Sequence, residues 1–279
     1  MAKRKYEFDE QKLARFKKEG RGEGHGIDYK PWLTIQDVPS KGRSSRIPSS
    51  KVPREHHLLS DNERGIFLLL DWSDDVIDVR EQFPLDRDIT RRIAKEMGVA
   101  HPMDSRTRTD IVMTTDFLVD KRVGNKIIEI ARSVKSQSEL DDPRTIEKQE
   151  IERRYWESRN VDWRMYIDTD IPEQRVENLR LLYEMKSFDG LVVPYPSFWE
   201  DTCHRLMVAL NKTHRVQIKK LIQELEVTQG LKAEDIITAI RHLVANKAIT
   251  FDLDIPFSTN VFICSTKQLS SVTPLRNIA

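Results

Sequence analysis

The chain has 279 residues, 38% hydrophobic and 33% charged, with a net charge of +1. That composition supplies a core beneath a heavily charged surface, excludes disorder throughout, and at this length suits two ordinary domains. No stretch approaches the ~18 to 20 apolar residues of a membrane span, and Met1-Ala2-Lys3-Arg4-Lys5 leads into polar sequence rather than a signal-peptide core, so a soluble, unexported, cytoplasmic protein is expected.

Only Cys203 and Cys264 are present, and neither a disulfide framework nor a zinc site is expected from them. Charge is unevenly spread: residues 1–60 hold 14 lysines and arginines against 8 acidic residues, so a basic arm precedes a mildly acidic body. Tyr29, Pro31 and Trp32 interleave with its charges, the composition of an arm that docks on something. Residues 1–19 read as a short charged helix carrying Leu13 and Phe16. Gly20, Gly22, Gly24 and Gly26 then alternate with polar residues, and prolines follow as far as Pro53, predicting an extended segment without regular structure. No Gly-Lys-Ser/Thr follows the glycines, so this is not a phosphate-cradling loop and ATP binding is not expected.

A helix is predicted from Asp61 to Leu70, opened by Ser60 as N-cap with Glu63 three residues on. Val76–Gln82 reads as a strand, a short helix lies near Ile89–Met97, and Asp110–Asp120 and Lys126–Val134 read as strands joined by a hairpin across Lys121–Asn125. Asp142–Arg159 is a charged helix, Trp163–Ile167 a strand, and Pro172–Lys186 a helix with proline near its first turn. The sum is a mixed α/β domain. Gly190, Pro194 and Pro196 mark a linker, giving an arm over 1–54, this α/β domain over 55–188 and a third segment over 189–279. In that last segment helices are predicted near Ser197–Asn211, Thr213–Glu226 and Ala233–Asn246, followed by a ribbon of Ile249–Leu253 and Val261–Ser265. This is the element order of an α+β winged helix. Its third helix puts Ile236, Ile240, Leu243 and Val244 on one stripe and leaves Arg241 and His242 to face DNA, a protein partner or solvent.

Glu63 shares a helical stripe with Phe67 and Leu70, which places a carboxylate on the face that should be buried; it is either half of a capping box or one of a set of compensated charges. Period-two alternation puts Asp116, Leu118 and Asp120 on one face of their strand, and the hairpin brings Asp116 near the Ser133–Lys135 end of the next. A helix carboxylate, a strand carboxylate and a lysine suit metal-dependent phosphodiester cleavage: carboxylates hold Mg²⁺ and the lysine orients water. The same residues also fit a surface strand pair. His56-His57 should point to opposite sides of an extended segment, with packing rather than metal binding as their use, and Trp72, Trp156 and Trp163 read as core.

Several blocks in this order resemble the TnsA family: Lys18-Glu19-Gly20-Arg21-Gly22 with Gly24-His25-Gly26 and Asp28-Tyr29, Pro31-Trp32-Leu33-Thr34, His56-His57-Leu58-Leu59-Ser60-Asp61-Asn62-Glu63, Arg80-Glu81-Gln82-Phe83-Pro84-Leu85, His101-Pro102, Thr115 to Asp120, and Glu152-Arg153-Arg154-Tyr155-Trp156. The resemblance implies a restriction-endonuclease-like catalytic domain that cuts the 5′ ends of a transposon. It implies a TnsB-type transposase acting on the 3′ ends and a TnsC-type AAA+ regulator as partners, with double-stranded DNA at the transposon ends as substrate and no membrane. It further implies Glu63 and Asp116 as carboxylates for Mg²⁺, with Mn²⁺ as substitute, and Lys135 as the catalytic lysine. The family pattern resembles Glu or Gln, any residue, Lys, whereas this chain has Ser133-Val134-Lys135. Serine is a poor Mg²⁺ ligand, so contact from Ser133 would pass through water and the Val134 carbonyl becomes a direct ligand candidate. Glu129 lies ~13 Å from Ser133 along the strand and does not substitute. DNA contacts are expected from Arg21, Lys30, Lys41, Arg43 and Arg46 of the arm and from Arg241 and His242. Two other readings fit the sequence, a non-catalytic adaptor that bridges transposase and regulator, and a stand-alone restriction-type nuclease.

Overall fold

Glycine and tryptophan decide where the N-terminal arm goes. In the computed structural model, which describes residues 7–38, 43–213 and 215–266, helix α1 spans Glu10–Lys18 with Asp9 as its N-cap. The first six residues of the expected helix, and Lys41, lie outside the described residues. Leu13 and Phe16 are buried with Phe8 and Trp32 in a small cluster, Phe16 meeting Trp32 edge-on at 5.2 Å. The arm does dock, and what it docks on is its own chain. Strand β3 (Val76–Pro84) receives it: Trp32 N donates to Gln82 O at 3.2 Å and Tyr29 OH to Glu81 O at 2.9 Å. Gly22 makes the approach possible, since a Cβ there would sit 2.1 Å from Pro84 Cγ. The segment before Pro53 is also more regular than its composition suggests: β1 (Ser45–Pro48) pairs antiparallel with β2 (Glu55–Leu58).

Helix α2 (Asp61–Trp72) follows, then β3, α3 (Arg87–Met97), β4 (Thr114–Val123), β5 (Lys126–Lys135), α4 (Pro143–Glu157) and β6 (Asp162–Ile167). The sheet order is β3-β4-β5-β6. The first three strands are antiparallel, and β6 joins β5 in parallel after α4 makes the crossover that a parallel pair requires. The β4–β5 turn is tighter than expected, just Gly124 and Asn125, with Gly124 at φ +58 as a two-residue hairpin needs. Alternation along the strands sorts the two faces. Val79, Phe117, Val119, Ile130 and Val134 pack against Ile66, Phe67 and Leu70 of α2, while Leu118 and Ala131 pack against Ile93 of α3 and Ile151, Tyr155 and Trp156 of α4.

The chain divides into two compact units, the second beginning at Pro172 rather than near residue 189. The reason is α5 (Glu173–Tyr183), whose buried Asn178 donates to the carbonyls of Leu253 and Ile255 at 2.8 Å each, and whose Arg175 pairs with Asp254 at 2.6 Å. Proline near the first turn and a break at Gly190 made α5 look like the end of the first domain; its hydrogen bonds place it in the second. The rest of that unit comprises α6 (Phe198–Asn211), β7 (Val216–Gln217), α7 (Ile218–Gln229), α8 (Ala233–Ala245), β8 (Ile249–Thr250) and β9 (Phe262–Ser265), with strand order β7-β9-β8. Helix α7 starts later than expected because Val216 and Gln217 pair with β9 first.

Candidate active site

Strand β5 brings the lysine and the central carboxylate together through its backbone. Asp116 and Ser133 face each other one step beyond the Phe117–Arg132 pair, and Val134 N donates to Asp116 Oδ2 at 2.7 Å. Lys135 Nζ reaches the same oxygen at 3.1 Å and donates to Val134 O at 2.7 Å. Burial alone would lower the Lys135 pKa, but Asp116, Glu152 and Glu63 more than reverse this and raise it above the usual lysine range. Lys135 is therefore a fixed cation and not a proton acceptor at neutral pH.

Glu63 takes one half of the capping interaction: Ser60 caps its amide, but its carboxylate turns to Leu59 N rather than to the N-cap amide. Its backbone N–H donates to Ser60 Oγ at 3.1 Å, closing the first turn of α2, while its carboxylate accepts Leu59 N at 2.9 Å and Ser60 Oγ at 3.1 Å. The same carboxylate is 7% exposed and faces the site. Burial and the neighbouring Asp116 push its pKa up to about 7, against the opposing hydrogen bonds from Leu59 and Ser60 and the charge of Lys135.

Gln82 connects the two carboxylates and was not anticipated. Its Nε2 lies 3.3 Å from Asp116 Oδ1 and 3.5 Å from Glu63 Oε2, and its Oε1 accepts Thr114 Oγ1 at 3.0 Å, which sets the amide's orientation. It adopts φ +48, uncommon for a residue with a side chain, at the point where β3 is also held by Trp32. Nothing in its sequence context announces this; it needs the strand register and the φ value.

Helix α4 contributes two further buried polar groups. Glu152 is 2% exposed and accepts Thr115 Oγ1 at 2.9 Å and Trp163 Nε1 at 3.0 Å on one oxygen. Burial and Asp116 raise its pKa to about 7, against Lys135. Gln149, one turn earlier, is 8% exposed. Ser133 Oγ stands between strand and helix, 3.3 Å from Asp116 Oδ2, 3.0 Å from Gln149 Oε1 and 3.3 Å from Glu152 Oε2. The i, i+3 spacing of Gln149 and Glu152 on a helix whose next turn carries buried Trp156 was the available signal for both.

The expected DNA contacts divide. Arg43 and Arg46 are exposed, as is Lys30, whose Nζ donates to Glu19 O at 3.0 Å. Arg21 is engaged within the arm, donating to Glu19, Asp37 and Trp32 O and lying 3.7 Å from the Phe16 ring centroid. His242 stacks on Phe188 at 3.7 Å and is hydrogen-bonded to Met185 O at 2.9 Å, so its ring holds the segment after α5; Arg241 lies over Phe257 at 5.2 Å. His56 and His57 do diverge. His56 is fully buried against Phe67 with Nδ1 2.9 Å from Glu81 Oε2, and His57 is half-buried. Trp156 is core, while Trp163 is partly exposed and hydrogen-bonded to Glu152.

Among the described residues one His/Asp/Asp group, His25, Asp78 and Asp120, brings its ligand atoms within 4.8 Å of one another. Arg80 already pairs with Asp120 at 2.6 Å, Arg54 lies 3.8 Å from Asp78, and Gly26 N donates to Asp78 Oδ2 at 2.7 Å. These charges are met by cations and an amide, and the group ties the arm to β3 and β4. Among the described residues no helix is long and apolar enough to cross a membrane.

Residues 73–168 match the family model described as TnsA-like endonuclease N terminal, and residues 170–253 match TnsA endonuclease C terminal. The break between the two matches falls beside the break at Pro172. The chain is 39% identical to the transposon Tn7 transposition protein TnsA of Escherichia coli over 285 residues, covering 100% of this chain and 98% of that protein. That match includes the arm and the α2 turn carrying Glu63, which precede the family-model matches. The chain belongs to the TnsA family of transposition endonucleases.

Proposed function

We propose that this endonuclease hydrolyses phosphodiester bonds at the 5′ ends of a transposon, in a restriction-endonuclease-like site formed by Glu63, Asp116 and Lys135. Its first unit carries the chemistry, and the second is a winged-helix domain. A TnsB-type transposase that cuts the 3′ ends and a TnsC-type AAA+ regulator are the partners this reading assigns.

The observation that carries the reading is the sharing of one amide by two buried carboxylates. Glu63 and Asp116 converge on the Gln82 Nε2 group, with hydrogen bonds too long to neutralise them. An all-oxygen donor set with surplus negative charge suits a hard divalent cation such as Mg²⁺ or Mn²⁺. Glu63, Asp116 and the Val134 carbonyl would hold it. When bound, such an ion stabilises charge on the phosphoryl oxygens and lowers the pKa of water. Lys135, held as a cation by Asp116, supplies a positive charge for the scissile phosphate and orients water. Glu152, with its pKa near 7, can hold or release a proton next to Ser133. Exposed Lys30, Arg43 and Arg46 suit phosphate contacts along the DNA, and Arg241 offers a contact from the second unit.

The test uses transposon-end DNA labelled on both strands, the partner transposase, Mg²⁺ or Mn²⁺, and this chain with or without Asp116→Ala. The reading expects 5′-strand cuts that vanish with the substitution. Only 3′-strand cuts in both cases would instead make the chain a non-catalytic adaptor, and cutting without the partner transposase would make it a stand-alone nuclease.

A further inference from the structure

The Ser133 hydroxyl is 1% exposed and has a single proton, yet three acceptor oxygens surround it: Asp116 Oδ2, Gln149 Oε1 and Glu152 Oε2. At most one can be satisfied by that proton. Of the other two, Glu152 is served on its second oxygen by Thr115 and Trp163, and Asp116 by Val134 N and Lys135. Among the described residues, the donor to Gln149 Oε1 is the serine, at 3.0 Å. The hydroxyl proton is thus directed to Gln149 Oε1, and the buried amide holds Ser133 in place beside the two carboxylates.

We propose that Gln149 of α4 positions the divalent-cation site from across the sheet, its side-chain carbonyl and the Ser133 hydroxyl together doing the work of a single amide-bearing residue on β5. Serine at 133 is too short to carry a carbonyl oxygen forward from the strand, and the helix returns one to the same place. Gln149 fixes the Ser133 hydroxyl by accepting its proton directly at 3.0 Å. Ser133 and Gln149 are therefore a coupled pair, so changing one alone should be worse than changing both. The inference rests on the divalent-cation reading above.

The experiment measures Mn²⁺ affinity of the full chain, by electron paramagnetic resonance of free Mn²⁺ and by calorimetry, with thermal melts to check folding. Asp116→Asn tests the reading itself and should abolish binding. Gln149→Met keeps length and removes the oxygen, and should weaken Mn²⁺ by about tenfold or more, as loss of outer-shell partners does. Gln149→Glu should bind as tightly as the native chain or more so. The double variant Ser133→Gln, Gln149→Met should recover most of what Gln149→Met loses. Unchanged Mn²⁺ affinity in a folded Gln149→Met, or a double variant no tighter than the single, overturns the pairing while leaving the metal site standing. Mn²⁺ binding that survives Asp116→Asn overturns the site, and the pairing with it. Should Gln149→Met not fold, Gln149→Glu decides alone, because weakened binding there is incompatible with an oxygen that serves the ion.

Discussion

The backbone N–H of Val134 and the ammonium of Lys135 share one oxygen of Asp116, at 2.7 and 3.1 Å. The carboxylate is thereby oriented by the strand as well as by its counter-ion. Asp116→Asn keeps the shape and removes the charge that both donors address. Cleavage of the 5′ strand should fall by ~10²-fold or more, in line with removing several kcal/mol of transition-state stabilisation. A strand-resolved cleavage assay checks it, and residual cutting above a tenth of the native rate would contradict the assignment.

Glu63 gives a pH signature in the metal-free protein. Its pKa is about 7 when folded and near 4.5 otherwise, so the folded state holds this proton more tightly. The group costs nothing below the unfolded value, and the penalty grows as pH rises toward 7 and then stays constant. Glu63→Gln should therefore raise the melting temperature at pH 8 but not at pH 4, by several degrees at ~2–4 °C per kcal/mol. Mg²⁺ should stabilise the native chain more at pH 8 than at pH 5.5, because the cation must displace that proton. Equal shifts at both pH values would remove Glu63 from the site.

Gly22→Ala should detach the arm. The new Cβ would meet Pro84 at 2.1 Å, and φ +81 strains any residue but glycine. Limited proteolysis should then cut within residues 20–38 much faster than in the native chain, with the β3–β6 sheet intact by amide exchange. Protection equal to native would show that the arm is held without this close approach.

Acid should release the N-terminal segment at one place. Asp104 accepts the amides of Phe8, Arg106 and Thr107 at 2.9 Å each, and these hold its pKa down to about 2. A depressed carboxylate stabilises above its unfolded pKa and loses that contribution as pH falls toward the folded one, here from about 4 to about 2. Exchange at the Phe8 amide, corrected for intrinsic rate, should lose protection over that window. In Asp104→Asn it should already be weakly protected at pH 6.

The strands, the central helices and four of the site residues were legible because they depend on local pattern. Asp116, Ser133 and Lys135 follow from alternation plus a hairpin, and Ser60 with Glu63 from cap spacing. What was not legible depends on chain segments distant in sequence. The docking of the arm needs Trp32 and Tyr29 to find β3, and composition shows only that such residues want a partner. Gln82 acts through a φ value that no residue type declares, and Asn178 assigns α5 to the second unit by two hydrogen bonds more than 70 residues away. Position on a polar face does not show that Phe16 and Phe188 lie against the Arg21 and His242 side chains.

The hydrogen bonds that join the site have a further property in the spacing of their partners along the chain. Ser133 reaches Asp116, Gln149 and Glu152 across 17, 16 and 19 residues, and Gln82 reaches Glu63 and Asp116 across 19 and 34. The arm's ties to β3 span 50 to 52. Closure entropy rises only as the logarithm of loop length, so the difference is ~0.4 to 1 kcal/mol for each closure. It has the same sign for all five. The polar cluster around Asp116 is thus built from the cheaper closures and can come together with the hairpin and its crossover helix, before the arm arrives to cover the edge of the sheet.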